Sequence, residues 1–187
     1  MNAPKSIVRW LDIVCLLILL MVLVGGVTRL TESGLSMVTW EPILGAIPPR
    51  TEAEWQVRFD QYRAYPEYQL INKGMTLAEF KFIYFWEYLH RLLGRLIGLV
   101  YALPMAWFIW RGVARGRLAG LLLIGLALGG LQGVVGWWMV KSGLSQNPYV
   151  SPFRLGIHLG LALFVFSFLW WLRLGLSGVE RAVASPP

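Results

Sequence analysis

Four stretches of the chain are almost unbroken runs of apolar residues: Trp10–Val27, Phe82–Trp110, Leu118–Val140 and Phe153–Leu174. A helix on the surface of a soluble protein keeps a polar stripe along one face, and these segments largely lack one. Each is about long enough to cross a hydrocarbon core of roughly 30 Å as an α-helix. The pattern predicts an all-α membrane protein, a four-transmembrane-helix bundle forming one membrane domain over residues 1–187. The first stretch has the basic start of a secretory leader. Its long apolar run, however, leads into Val24-Gly25-Gly26-Val27-Thr28-Arg29 without a clear small-x-small cleavage signal, so it reads as a retained span.

Residues 28–81 break the apolar pattern and predict a long, structured outer loop between the first two spans. Gly25-Gly26-Val27-Thr28-Arg29-Leu30-Thr31, Gly34-Leu35-Ser36-Met37 and Trp40-Glu41-Pro42 read as an ordered, turn-rich opening that ends at Pro48-Pro49. Thr51 and Glu54 then form a capping-box pattern. Trp55, Phe59 and Tyr62 follow at i, i+4, i+7 and Pro66 stops the run. A short amphipathic helix is expected over residues 52–65, on the outer membrane surface or over the bundle. A second box, Thr76 with Glu79, starts a helix from Leu77 to about Trp110, roughly 50 Å long at 1.5 Å per residue. That helix should project above the membrane. Trp86, Trp137 and Trp138 fall near the expected outer interface, where amphipathic aromatics collect.

Composition supports the membrane reading, with 57% hydrophobic and 14% charged residues against about 25% charged in soluble domains. The net charge of +7 would suit nucleic acid, but its placement points to lipid. Lys5, Arg9, Arg111, Arg115, Arg117, Arg173 and Arg181 flank the spans on one side, whereas residues 28–81 hold six basic and seven acidic side chains. The positive-inside rule puts both termini in the cytoplasm of a multi-pass protein of a bacterial inner (plasma) membrane. Cys15 is the one cysteine; it allows no intramolecular disulfide and reads as a small core residue.

The chain has two histidines, and both fall in spans. His90 lies eight residues beyond Phe82 and His158 five beyond Phe153, on spans that run in the same direction. Their depths differ by about 5 Å before tilt. Inward-facing histidines on two helices of a bundle can hold a planar cofactor between them. Either alone could be a hydrogen-bonded packing residue. Zinc would want three or four convergent ligands, while a haem needs one or two axial ones.

Arg154, four residues before His158, and Arg91 and Arg95 beside His90 are candidate contacts for haem propionates. The alternative for the second helix is an intrahelical ion-pair ladder of Glu87, Arg91 and Arg95 at i, i+4, i+8. Glu87 forms Glu-x-x-His with His90. A carboxyl group inside a span is costly and marks a functional candidate. It could orient the imidazole, accept protons, or stabilise positive charge on a substrate. Gly94 and Gly98 share the His90 face, and Gly156 and Gly160 bracket His158. Gly125, Gly129, Gly133 and Gly136 form a stripe that suggests close helix packing.

The run Gly25 to Met37 strongly resembles the first outer loop of haem A synthases of the proteobacterial and mitochondrial type. Pro66-Glu67-Tyr68, Glu79-Phe80-Lys81 and Glu87-Tyr88-Leu89-His90-Arg91 share the resemblance, as do Leu131-Gln132-Gly133, Gly136 to Leu144 and Arg154-Leu155-Gly156-Ile157-His158-Leu159. The resemblance implies oxidation of the C8 methyl of haem O to a formyl group, giving haem A for cytochrome oxidase by two hydroxylations and loss of water. It implies His90 and His158 as axial ligands of the substrate haem and Glu87 as the catalytic carboxylate. Family members have eight spans in two similar halves, the second holding haem B. This chain resembles the first half and lacks the outer-loop cysteine pair of some members. Either the sequence is a fragment of a longer chain, or a separate chain supplies the second half, or two copies form a homodimer; the electron donor is not indicated. The competing expectation is a bis-histidine electron-transfer subunit without porphyrin chemistry, in which Glu87 would be dispensable.

Overall fold

The computed structural model describes residues 5–39, 44–145 and 148–177. Trp40-Glu41-Pro42 of the expected turn-rich loop and Arg181 of the basic flank lie outside them. Among the described residues, all regular structure is helical: α1 (Lys5–Leu30), α2 (Glu52–Arg63), α3 (Pro66–Leu70), α4 (Leu77–Trp110), α5 (Gly116–Lys141), α6 (Pro152–Ser177), and a short 3-10 turn at Leu44–Ala46. Helices α1, α4, α5 and α6 are long and apolar enough to cross a membrane. The chain is an all-α membrane protein.

Helix α1 continues through Gly25–Leu30, the segment expected to open the loop. Thr28 and Thr31 remain compatible with the helix because their hydroxyls donate back to the Val24 and Val27 carbonyls, each at 2.8 Å. The helix then ends in a Schellman pattern. The Ser33 amide donates to the Thr28 carbonyl at 2.9 Å and the Glu32 amide to Arg29 at 3.3 Å, with Glu32 left-handed at φ 51°. Glycine usually takes that position; a side chain there costs about 1–2 kcal/mol. Helix α4 ends the same way, this time with Gly112 supplying the left-handed residue at φ 65°.

The Thr76–Glu79 box forms in full, the Glu79 amide donating to Thr76 Oγ1 at 3.3 Å and the Thr76 amide to Glu79 Oε2 at 2.7 Å. At α2 the box is slipped by one residue. Thr51 Oγ1 accepts from the Glu54 amide at 3.2 Å, but Glu54 Oε2 accepts from Arg50 rather than Thr51. Trp55, Phe59 and Tyr62 of α2 pack over the projecting start of α4. Phe59 stacks on Phe80 with ring centroids 5.0 Å apart, and Trp55 meets Tyr84 edge-on at 5.0 Å. Phe59, Tyr62 and Phe80 are almost fully buried, so this small aromatic core fixes the loop to the bundle.

The four long helices form a ring. Helix α1 packs on α4 and α6, and α5 packs on α4 and α6. Among the described residues, no Cα of α4 lies within 8 Å of one of α6, so these two stand on one diagonal, with α1 and α5 on the other. The bundle core fills the end where α1 begins, through Ile7, Trp10, Leu11, Val14, Ile18, Tyr101, Met105, Leu122, Leu169 and their neighbours. Trp10 Nε1 donates to the Val100 carbonyl at 2.7 Å and Tyr101 to the Leu122 carbonyl at 2.8 Å. At the loop end the packing changes. Beyond Gly125 on α5 and before Val165 on α6, no residue is buried.

Candidate functional site

Glu87 and His90 lie on the loop half of α4, and the outer segment closes over the first of them. Glu87 is 3% exposed. Its Oε2 accepts from Ser36 Oγ at 2.7 Å and from the Met37 amide at 2.6 Å. Its Oε1 accepts from Arg91 Nη2 at 2.5 Å, and the same guanidinium donates to the Met37 carbonyl at 2.8 Å and to Thr39 at 3.2 Å. The first rung of the expected ladder is therefore present, and it is also the clasp that holds residues 36–39 on α4. Ser36 had no functional part in the sequence reading, because its partner lies 51 positions away. Arg95 follows one turn deeper on α4.

His90 and His158 stand on the two diagonally opposed helices α4 and α6. Both Nδ1 atoms are buried without a hydrogen-bond partner among the described residues. His90 lies against α1, where a Cβ added at Gly25 would come within 2.9 Å of its Cε1. His158 lies against α5, where a Cβ at Gly136 would come within 2.9 Å of its Cε1. Gln132, one turn before Gly136, donates to the His158 carbonyl at 3.0 Å and places its Nε2 3.4 Å from the ring Nε2. Buried Oε1 of Gln132 has no described partner. Neither glycine nor Gln132 was singled out beforehand as a histidine contact. Their spacing shows which face they occupy, but not what stands opposite.

The expected packing stripe on α5 proves divided. Gly125 receives the Tyr101 hydroxyl and Leu169, and Gly136 receives His158, but Cβ atoms at Gly129 and Gly133 would meet nothing within 4 Å. Gly98, Gly156 and Gly160 are equally open. Arg154 caps the neighbouring helix instead of pairing with a carboxylate: Nη1 donates to the Trp138 carbonyl at 2.9 Å, and the guanidinium carbon sits 4.4 Å from the Trp138 ring centroid. The residues fit an iron macrocycle. Two imidazoles, each with a buried Nδ1 that has no partner among the described residues, stand on α4 and α6 at the loop end of the bundle, where α5 and α6 bury no residue completely.

A second buried carboxyl lies in the outer segment. Glu67 on α3 is 5% exposed, and its Oε2 has no hydrogen-bond partner among the described residues. Burial pushes its pKa up to about 8, with a smaller downward effect from Tyr62 and further upward effects from Glu87 and Glu32. Burial likewise raises the Tyr62 phenol above its usual range. Asn72 Nδ2 donates to that phenol at 2.7 Å.

Together these features define a multi-pass membrane bundle with two half-buried imidazoles and a buried carboxylate at the end where an ordered loop packs on it. The family described as cytochrome oxidase assembly protein (COX15-CtaA) matches residues 8–187, and the chain belongs to it. A protein named heme A synthase from Bradyrhizobium sp. (strain ORS 278) is 56% identical over 165 residues, covering 88% of this chain and 46% of its own length. Heme A synthases from Rhodopseudomonas palustris (strain BisA53) and Nitrosomonas eutropha (strain DSM 101675 / C91 / Nm57) are 52% and 55% identical, over 98% and 95% of this chain and half of each relative. The chain thus spans about half the length of the curated relatives it matches. No solved structure matches it.

Proposed function

We propose that this chain forms the substrate-haem half of a haem A synthase, an oxidoreductase that converts the C8 methyl of haem O to a formyl group. The observation that supports the reading is the pair of imidazoles on α4 and α6, each with a buried Nδ1 that has no described partner, beside the buried Glu87 carboxylate. His90 and His158 are the axial ligands of the substrate, whose iron and macrocycle supply the redox chemistry. Gln132 fixes the α6 backbone at His158. Glu87 is the catalytic carboxylate, poised to accept a proton or to stabilise positive charge on the substrate. Ser36 and Met37 steady its Oε2 while Arg91 balances its charge.

Of the cations, Arg154 stands at the loop end with no carboxylate partner among the described residues and is the leading propionate contact. Arg95 is the deeper candidate, and Arg91 reaches a propionate only by leaving Glu87. The basic flanks support a topology with both termini in the cytoplasm and the loop outside the inner membrane. The second half of the family's length, from the same or a separate chain or a second copy, would carry haem B.

The test is the optical spectrum and extracted haem of protein purified from cells making haem O. Wild type is compared with His90→Ala, His158→Ala and Glu87→Ala. Haem O or haem A bound in a six-coordinate form, lost in both histidine variants, is the expected result. Glu87→Ala should retain haem and lose haem A. Haem B alone, with Glu87 dispensable, would replace this reading with the electron-transfer one.

A further inference from the structure

The four long helices divide the work at the histidine pair. Helices α4 and α6 carry the rings, and each helix of the other diagonal carries a glycine against the Cε1–Nδ1 edge of one ring. We propose that Gly25 and Gly136 are positioning residues that seat the imidazoles of His90 and His158 and set their orientation at the iron; this rests on the haem reading above.

The geometry is the same at both places. A Cβ at Gly25 would lie 2.9 Å from His90 Cε1 and 3.3 Å from its Nδ1. One at Gly136 would lie 2.9 Å from His158 Cε1, 3.5 Å from Nδ1 and 3.6 Å from Nε2. Comfortable carbon–carbon contact is about 3.5–4.0 Å. In each case one ring atom must move if the glycine gains a side chain. A free imidazole makes room by turning about its side-chain bonds. A ring bonded to iron is fixed at both ends, by its own Cβ and by the metal, and turning it strains the coordination. The glycines therefore matter more to the haem-loaded protein than to the empty one. This also gives Gly25, within the Gly25-Gly26-Val27-Thr28-Arg29 signature, a role that a loop motif did not suggest.

The test uses Gly25→Ala and Gly136→Ala in the full chain, purified with haem. Gly26→Ala and Gly130→Ala are controls on the same helices, since a Cβ at either meets nothing within 4 Å. All four raise helix propensity alike. The readouts are haem per protein, the low-spin fraction of the oxidised optical spectrum, and the low-temperature electron paramagnetic resonance spectrum, whose anisotropy reports the angle between axial imidazole planes. Gly25→Ala and Gly136→Ala should lose haem several-fold or gain a high-spin fraction, with a shifted low-spin signal in what remains; the controls should match wild type. Wild-type spectra in both glycine variants would overturn the assignment while leaving the haem reading intact. Failure of wild type to take up haem would overturn both.

Should Gly136→Ala fold poorly, its melting temperature is compared with that of Gly136→Ala/His158→Ala. Removing the ring removes the collision, so the double variant should recover stability. A double variant as unstable as the single one would place the role of Gly136 elsewhere.

Discussion

Replacing Glu67 by Gln should make the outer segment more stable at neutral pH and remove most of its pH dependence. The native carboxyl titrates at about 8 against 4.5 when unfolded, so between those values the folded form keeps a proton that the unfolded form has lost. Stability of the segment must therefore be highest below about pH 4.5, fall as pH rises through the window, and level off above about 8. At about 1.4 kcal/mol per pH unit, the full effect is at most about 5 kcal/mol. Partial opening of the segment and entry of water reduce it. Burial is the main cause; the Glu87 and Glu32 charges add to it, and the Tyr62 phenol opposes it. Hydrogen exchange read by mass spectrometry over residues 52–75, corrected for intrinsic rates, gives the opening free energy. Wild type should lose a few kcal/mol between pH 5 and pH 8 and Glu67→Gln should lose little. A wild-type opening free energy that is flat or rising over this range, or a Gln variant with the same slope, would refute the reasoning.

Phe80→Ala should cost about 3–5 kcal/mol, since Phe80 is fully buried between Phe59 and Tyr62; α2 and α3 should then exchange rapidly while the four long helices stay protected. Glu87→Ala removes the acceptor shared by Ser36, the Met37 amide and Arg91, a loss of at most about 3–5 kcal/mol for a broken buried pair, seen as protease nicking near residues 33–39 that wild type resists.

Helix periodicity and capping chemistry made much of the architecture legible. Thr76 with Glu79 marked the start of α4 to the residue, because a capping box is a local arrangement written into four consecutive positions. Trp55, Phe59 and Tyr62 announced one apolar face, although only the fold reveals that Phe80 and Tyr84 receive it. The candidate site was legible as residue types: two histidines and a carboxyl at i, i+3 need no tertiary information. Their partners were not. Ser36, Gly25, Gly136 and Gln132 act across helix pairs, and spacing along one helix carries nothing about the opposite wall. The glycine stripe on α5 shows the limit well, since Gly125 and Gly129 look alike in sequence while one holds a tyrosine and the other faces open space.

The contact that closes the ring has a consequence for biosynthesis. Asp12 of α1 accepts from Arg173 of α6 at 2.6 and 3.3 Å, across 161 positions of chain. An acidic residue at the centre of a spanning helix costs about 2.5–3.5 kcal/mol on the insertion scale; Asp12, near the start of α1, costs less, but α1 is made long before its counter-ion. During translation α1 must therefore tolerate an uncompensated charge, leaning on its strongly apolar neighbours Leu16, Leu17, Leu19 and Leu20 to stay in the bilayer. Emergence of α6 releases that burden and locks the first helix to it. A ribosome stalled before Arg173 would hold the bundle open, with α1 as the helix most prone to slip from the membrane.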